Sequence, residues 1–153
     1  MTVREQVIAA VVTTWNTGTP GGVPQLERTR RAAIPQSPTL MSALVYPVRN
    51  VPEEIGRPSG PIVRAQLTVA IEMRAVGTDA TRPDTVVDAI YEWAVKALVP
   101  QAFGVALGGV AHDVVEGEGE YDYGKDGEYP TVLLKTEFTV SYQHLAHDPT
   151  VKT

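Results

Sequence analysis

Residues 131–142 read Thr-Val-Leu-Leu-Lys-Thr-Glu-Phe-Thr-Val-Ser-Tyr, with Val132, Leu134, Thr136, Phe138, Val140 and Tyr142 in one register and Thr131, Leu133, Lys135, Glu137, Thr139 and Ser141 in the other. A period of two with one apolar row is the pattern of a strand that has one buried and one wet face. The same alternation appears at Val63, Ala65, Leu67, Val69, Ile71 and Met73, against Arg64, Gln66, Thr68, Glu72 and Arg74. Two such strands commit the chain to a sheet whose apolar face something else must cover.

The cover is legible as helices. Val3, Val7, Ile8, Val11, Val12 and Trp15 repeat at 3.6-residue spacing, and Asn16-Thr-Gly-Thr-Pro-Gly-Gly ends that helix because glycine permits a left-handed terminus and proline cannot continue it. A second stripe runs through Val86, Val87, Ile90, Trp93, Ala94, Ala97 and Leu98, opening on Thr81 and Asp84 as a capping box with Pro83 in the first turn, and closing at Pro100. Burying either Trp15 or Trp93 contributes on the order of 2–3 kcal/mol, so both are expected to anchor helices to the sheet.

Between these elements, residues 17–38 hold no period and contain Glu27-Arg-Thr-Arg-Arg31, which predicts a long arm. Leu40–Tyr46 predicts a short strand, and the proline-rich stretch 47–61 an irregular link. Residues 110–122 pair with 131–142 as a C-terminal hairpin around Gly124-Lys-Asp-Gly127, and residues 146–153 form a flexible tail. The expected fold class is α+β: a two-layer sandwich of one mostly antiparallel or mixed β-sheet with two helices on one face, in a single domain spanning 1–153.

The chain has no cysteine, which removes disulfides and thiolate chemistry. It moves directly into an amphipathic pattern, and no apolar run reaches spanning length, so the expectation is a soluble intracellular product without a membrane partner. Net charge is −5, unevenly spread: residues 1–76 carry eight Arg against five acids, and residues 77–153 carry five bases against thirteen acids. That acidity opposes tight duplex-DNA binding, while the polarity suits head-to-tail contact between copies.

The densest chemistry is Glu116-Gly-Glu-Gly-Glu-Tyr-Asp-Tyr-Gly-Lys-Asp-Gly-Glu-Tyr-Pro130. An EF-hand begun at Asp122 would need an oxygen ligand where Gly124 stands and a glutamate where Leu133 stands. Gly117-Glu-Gly-Glu-Tyr-Asp122 has Asp in place of the third glycine of a dinucleotide loop and leads into a hairpin, so its glycines read better as strain relief and a bulge. Strand alternation sets Glu116, Glu118, Glu120 and Asp122 on one face, a row of mutually repelling acids unsuited to acid/base pairing. His144 and His147 are three apart and diverge in a strand, His112 stands alone, and Ser37, Ser42, Ser59 and Ser141 lie in no nucleophile elbow. No catalytic, cofactor or metal residues are assigned. Arg28, Arg30 and Arg31 on the arm, with Glu116, Glu118, Glu120 and Asp122, are the candidate interface residues.

The order of elements, with its Val-Tyr-Pro-Val-Arg strand, its Val-Arg-Ala-Gln-Leu-Thr-Val-Ala-Ile-Glu-Met-Arg strand, a helix opening Arg-Pro-Asp-Thr-Val-Val-Asp-Ala-Ile and the closing strand, resembles the tail terminator (tail completion, minor tail U-like) proteins of long-tailed bacteriophages over nearly the whole chain. The resemblance implies a non-enzymatic virion protein, assembled in the host cytoplasm. It implies a hexameric ring that caps the head-proximal end of the tail, stops tube polymerisation, and meets the major tail tube protein and a head-completion or connector protein, while DNA passes its lumen without specific binding. The expected use of the arm is packing on a neighbouring subunit, and that of the acids is lining the lumen. A head-tail adaptor or tail-tube subunit is the alternative in the same class, and a small ligand- or metal-binding enzyme domain is the alternative outside it.

Overall fold

The computed structural model describes residues 1–28, 41–53, 62–145 and 147–153. Its elements run α1 (Val3–Asn16), β1 (Leu26–Arg28), β2 (Met41–Glu53), β3 (Ile62–Val76), α2 (Pro83–Leu98), β4 (Asp113–Asp126), β5 (Tyr129–Leu145) and β6 (Asp148–Lys152). The α+β sandwich is realised as a six-stranded sheet in the order β1-β2-β3-β5-β4, with β6 on β5 and every strand pair antiparallel except β1–β2. Both helices cover one face.

The two alternating strands take the centre. Leu67, Val69, Ile71 and Met73 of β3 pair with Val140, Phe138, Thr136 and Leu134 of β5, and their common face is buried under Val7, Ile8, Val11 and Trp15 of α1 and Val87, Ile90, Ala94 and Leu98 of α2. Thr136 interrupts this apolar row: its hydroxyl is buried without a hydrogen-bond partner among the described residues.

Trp15 is fully buried, and its indole N–H donates to the Pro24 carbonyl at 2.9 Å. Trp93 is only partly buried and packs helix to helix, its indole N–H reaching the Trp15 carbonyl at 3.1 Å. It ties α2 to the last turn of α1.

Several sequence expectations are corrected. The capping box of α2 does not form: Arg82 is the N-cap with no side-chain cap bond, and Asp84 instead accepts from Arg82 at 3.1 Å. Pro83 does occupy the first turn. The proline-rich link begins later than expected, because β2 continues through Pro47 and Pro52 to Glu53. A bulge between Pro47 and Arg49 and an edge position beyond β1 accommodate prolines that a central strand would reject. Residues 54–61 of that link, and Leu40, lie outside the described residues.

The predicted arm is fastened where it begins. The Asn16 side chain both accepts from the Leu26 amide at 2.8 Å and donates to its carbonyl at 3.1 Å, holding Leu26 beside the end of α1 as β1 joins β2. Residues 29–38 of the arm lie outside the described residues. The expected flexible tail is a strand: β6 returns along β5 at His144 and Leu145, and the Thr150 carbonyl accepts from Gln6 of α1 at 3.3 Å.

Candidate functional site

The acidic segment is β4, a rim of the sheet. Its hairpin turns at Gly127-Glu128, since Asp126 pairs with Tyr129, so the strand runs on through Gly124 instead of turning there. Gly127 has φ 63°, a left-handed conformation at the first turn position that favours glycine.

Upstream the register shifts between Glu116, which pairs with Phe138, and Gly119, which pairs with Thr136. Three steps on β4 therefore match two on β5, and the extra residue reverses the side on which later residues point. Gly117 makes this possible, because a Cβ there would sit 3.0 Å from the Glu137 carbonyl oxygen. The expectation of four acids on one face is overturned. Glu116 points to the helix side, aligned with Phe138; Glu120 and Asp122 point to the opposite, outer side, aligned with Lys135 and Leu133; Glu118 sits within the bulge.

Glu116 accepts a hydrogen bond from the Tyr91 hydroxyl of α2. That bond, reinforced by burial and by the carboxylate charge, pushes the phenol from an ordinary 10.0 up to about 12. The pair staples α2 to the rim. Further along, Tyr121 and Tyr123 occupy the helix side of β4, stacked at 6.3 Å between ring centroids and 52% and 70% exposed. They remain open because α2 packs over β3 and β5. Neither Tyr91 nor this tyrosine pair stood out in the sequence; Tyr121 and Tyr123 do alternate there, which was the available signal.

The outer face of the sheet bears polar contacts across strands. The Tyr46 hydroxyl donates to Glu72 at 2.9 Å, Lys135 Nζ lies 5.8 Å from the centroid of the Tyr46 ring, and Arg49 pairs with Glu137 at 3.4 Å. Burial, then the bond to Glu72, raises the Tyr46 phenol above its usual value. Glu72, Lys135 and Glu120 stand opposite one another on β3, β5 and β4, alternating in sign; opposed charges across strands support a sheet and like charges weaken it.

Of the arm's arginines, Arg28 ends β1 and pairs with Glu5 of α1 at 2.9 Å, which holds the Glu5 carboxyl below its usual range. Arg30 and Arg31 lie outside the described residues. Within one chain the arginine of β1 and the acids of β4 are not brought together: they stand on opposite rims, four strand spacings or about 19 Å apart.

The histidines do not converge. His144 Nδ1 lies 2.6 Å from the Leu145 carbonyl and its ring 6.2 Å from Tyr142, while His147 is exposed in the turn before β6. Among the described residues no three His, Asp or Glu side chains gather as metal ligands. Val76, Gly77, Thr78, Asp79, Ala80 and Tyr129 line an open cavity of about 380 Å³ at one end of the sheet. No helix among the described residues is long and apolar enough to cross a membrane. Neither a scan against protein-family models nor a search of the curated proteins finds a match to this chain.

Proposed function

We propose that the chain is a structural subunit of a long-tailed bacteriophage virion, forming a ring that caps the head-proximal end of the tail. In this reading the ring, hexameric by the resemblance, ends growth of the tail tube, offers the next surface to a head-completion or connector protein, and lets DNA through without binding it specifically. The subunit acts by association and carries out no reaction. It assembles in the host cytoplasm and ends in the virion tail.

One observation carries the reading: the two rims of the sheet are unlike. Acids crowd β4 at one rim, whereas β1 at the other carries one acid and one base, Glu27 and Arg28, the latter paired with Glu5. A closed ring of identical subunits needs two different, complementary surfaces on each copy, whereas a two-fold dimer needs a single self-complementary one. The element order and strand texture that resemble tail terminators supply the biological setting.

Native mass measurement and negative-stain microscopy test it. A discrete closed ring that stays single when mixed with tail-tube subunits is the expected result. Rings that grow into tubes would favour a tube subunit, and a monomer that binds a divalent ion tightly would overturn the proposal.

A further inference from the structure

Beyond its bulge, β4 is an open edge. Its pairing with β5 is unbroken from Gly119 opposite Thr136 to Asp126 opposite Tyr129. Residues 119–125 contain no proline, so every amide on the free side keeps its N–H, and all of them are exposed. The opposite rim is blunted instead, because β2 carries Pro47, Pro52 and a bulge where it runs past β1.

An edge strand turns alternate N–H and C=O groups outward, and a strand that meets them gains main-chain hydrogen bonds whatever its sequence. Side chains then select the partner. On the outer side, Glu120 and Asp122 stand two residues apart and form no ion pair among the described residues. On the helix side, Tyr121 and Tyr123 lie stacked, each more than half exposed. We infer that this edge docks an extended segment of another protein in which basic and apolar residues alternate. Its basic side chains pair with Glu120 and Asp122, and its apolar ones lie against the two tyrosines, as the period of two requires.

Charge commits the site to that occupant. Residues 113–128 hold seven acids and one base, so a second β4 rim would set acids against acids. β1 does not draw this edge either: Glu27 stands beside Arg28, and Arg28 is already paired with Glu5. The complement therefore belongs to a different protein. The bulge sets the limit of the site, since upstream the ladder is broken between Glu116 and Gly119 and Glu116 is held by Tyr91. At the far end Lys125 lies on the helix side, aligned with Pro130, and reserves that side for apolar residues. The inference goes beyond the ring reading and does not rest on it, because the edge belongs to the single chain.

Calorimetric titration of the full chain with a synthetic peptide tests the site, lysine and valine alternating over about nine residues. It should bind saturably, and the same residues arranged as one lysine block and one valine block should bind at least about tenfold more weakly. Glu120→Gln with Asp122→Asn, and Tyr121→Ser with Tyr123→Ser, should each weaken the alternating peptide by about tenfold or more. These positions are exposed, so both variants should keep the parent's melting temperature. No binding, equal binding of the two peptides, or indifference to either pair of changes overturns the inference.

A second measurement reads the backbone. Methylating the amide nitrogens of the peptide's lysines, and in another peptide those of its valines, removes the donors from one edge of the added strand at a time; one of the two should bind and the other should not. Equal behaviour would mean charge attraction without a ladder and overturn the site. Hydrogen exchange should slow within 119–125 when the peptide is bound. Amides there that are already protected in the free chain by pairing with a second copy would overturn the inference and leave the ring reading standing. A monomer that takes up the peptide would do the reverse.

Discussion

β5 and β4 are neighbours in one hairpin, yet they do opposite work. β5 buries every second residue from Val132 to Tyr142 and has a partner strand on each side. β4 buries Val114, then exposes its side chains as far as Lys125 and leaves its outer rim unpaired among the described residues. Secondary structure is shared; what differs is whether the strand's free energy is spent inside the molecule. β5 makes the fold, and β4 makes a surface that the fold presents.

If that division is real, truncating one strand should be far more costly than truncating the other. Phe138→Ala, at a fully buried β5 position, should lower unfolding free energy by about 3–5 kcal/mol, measured by denaturant titration. Tyr123→Ala, on the exposed part of β4, should stay within about 0.5 kcal/mol. Equal losses would erase the distinction.

The one place where β4 is strictly constrained is its bulge. Gly117→Ala should destabilise by about 1–3 kcal/mol, because the added methyl meets the Glu137 backbone oxygen at 3.0 Å. Gly119→Ala should cost less, since its nearest contacts, Thr136 Oγ1 at 3.3 Å and Leu134 Cδ1 at 3.4 Å, belong to side chains. The same titration ranks them.

A smaller change, of the other sign, is expected within β5. Thr136→Val replaces a buried, unpartnered hydroxyl with a methyl of similar shape and should stabilise by about 1 kcal/mol, read as a rise in melting temperature. A loss would mean that the hydroxyl has a partner.

Smallest is the staple between α2 and the rim. Tyr91→Phe should lower stability by less than about 1 kcal/mol. Because the phenol is raised from 10.0 to about 12 in the fold, the bond's contribution is whole below pH 10.0 and is lost as pH climbs through about 12. An ultraviolet titration should show Tyr91 ionising last, after the less strongly raised Tyr46 and Tyr142, and that final step should disappear in the variant.

What could be read in advance follows the same line between strands. Burial imposes periodicity, so α1, the stripe of α2, β3 and β5 were legible as alternations and stripes in the residues themselves. Rims carry no such imprint. β2 was cut short at Pro47 because proline argues against a strand, and only an edge position with a bulge tolerates it. In the candidate site, the acids and their glycines were plain, and the bulge was anticipated from those glycines. Its effect on direction was not: the face of Glu120 depends on a single extra residue at Gly117-Glu118, which becomes visible only in register with β5. β6 was missed because Asp148-Pro-Thr-Val-Lys152 is too short to show alternation, and it pairs with β5 only at His144 and Leu145.

The Gln6–Thr150 hydrogen bond has a practical consequence. It brings the first turn of α1 and strand β6 to one corner, so Gln6 and Thr150 are spatial neighbours although 144 positions separate them in sequence. A short linker across that corner should yield a circularly permuted protein, with new ends opened at the Gly127-Glu128 turn on the hairpin tip. Reporter groups could then be attached at either corner in turn, and comparing the two would show which end of the sheet an assembly encloses.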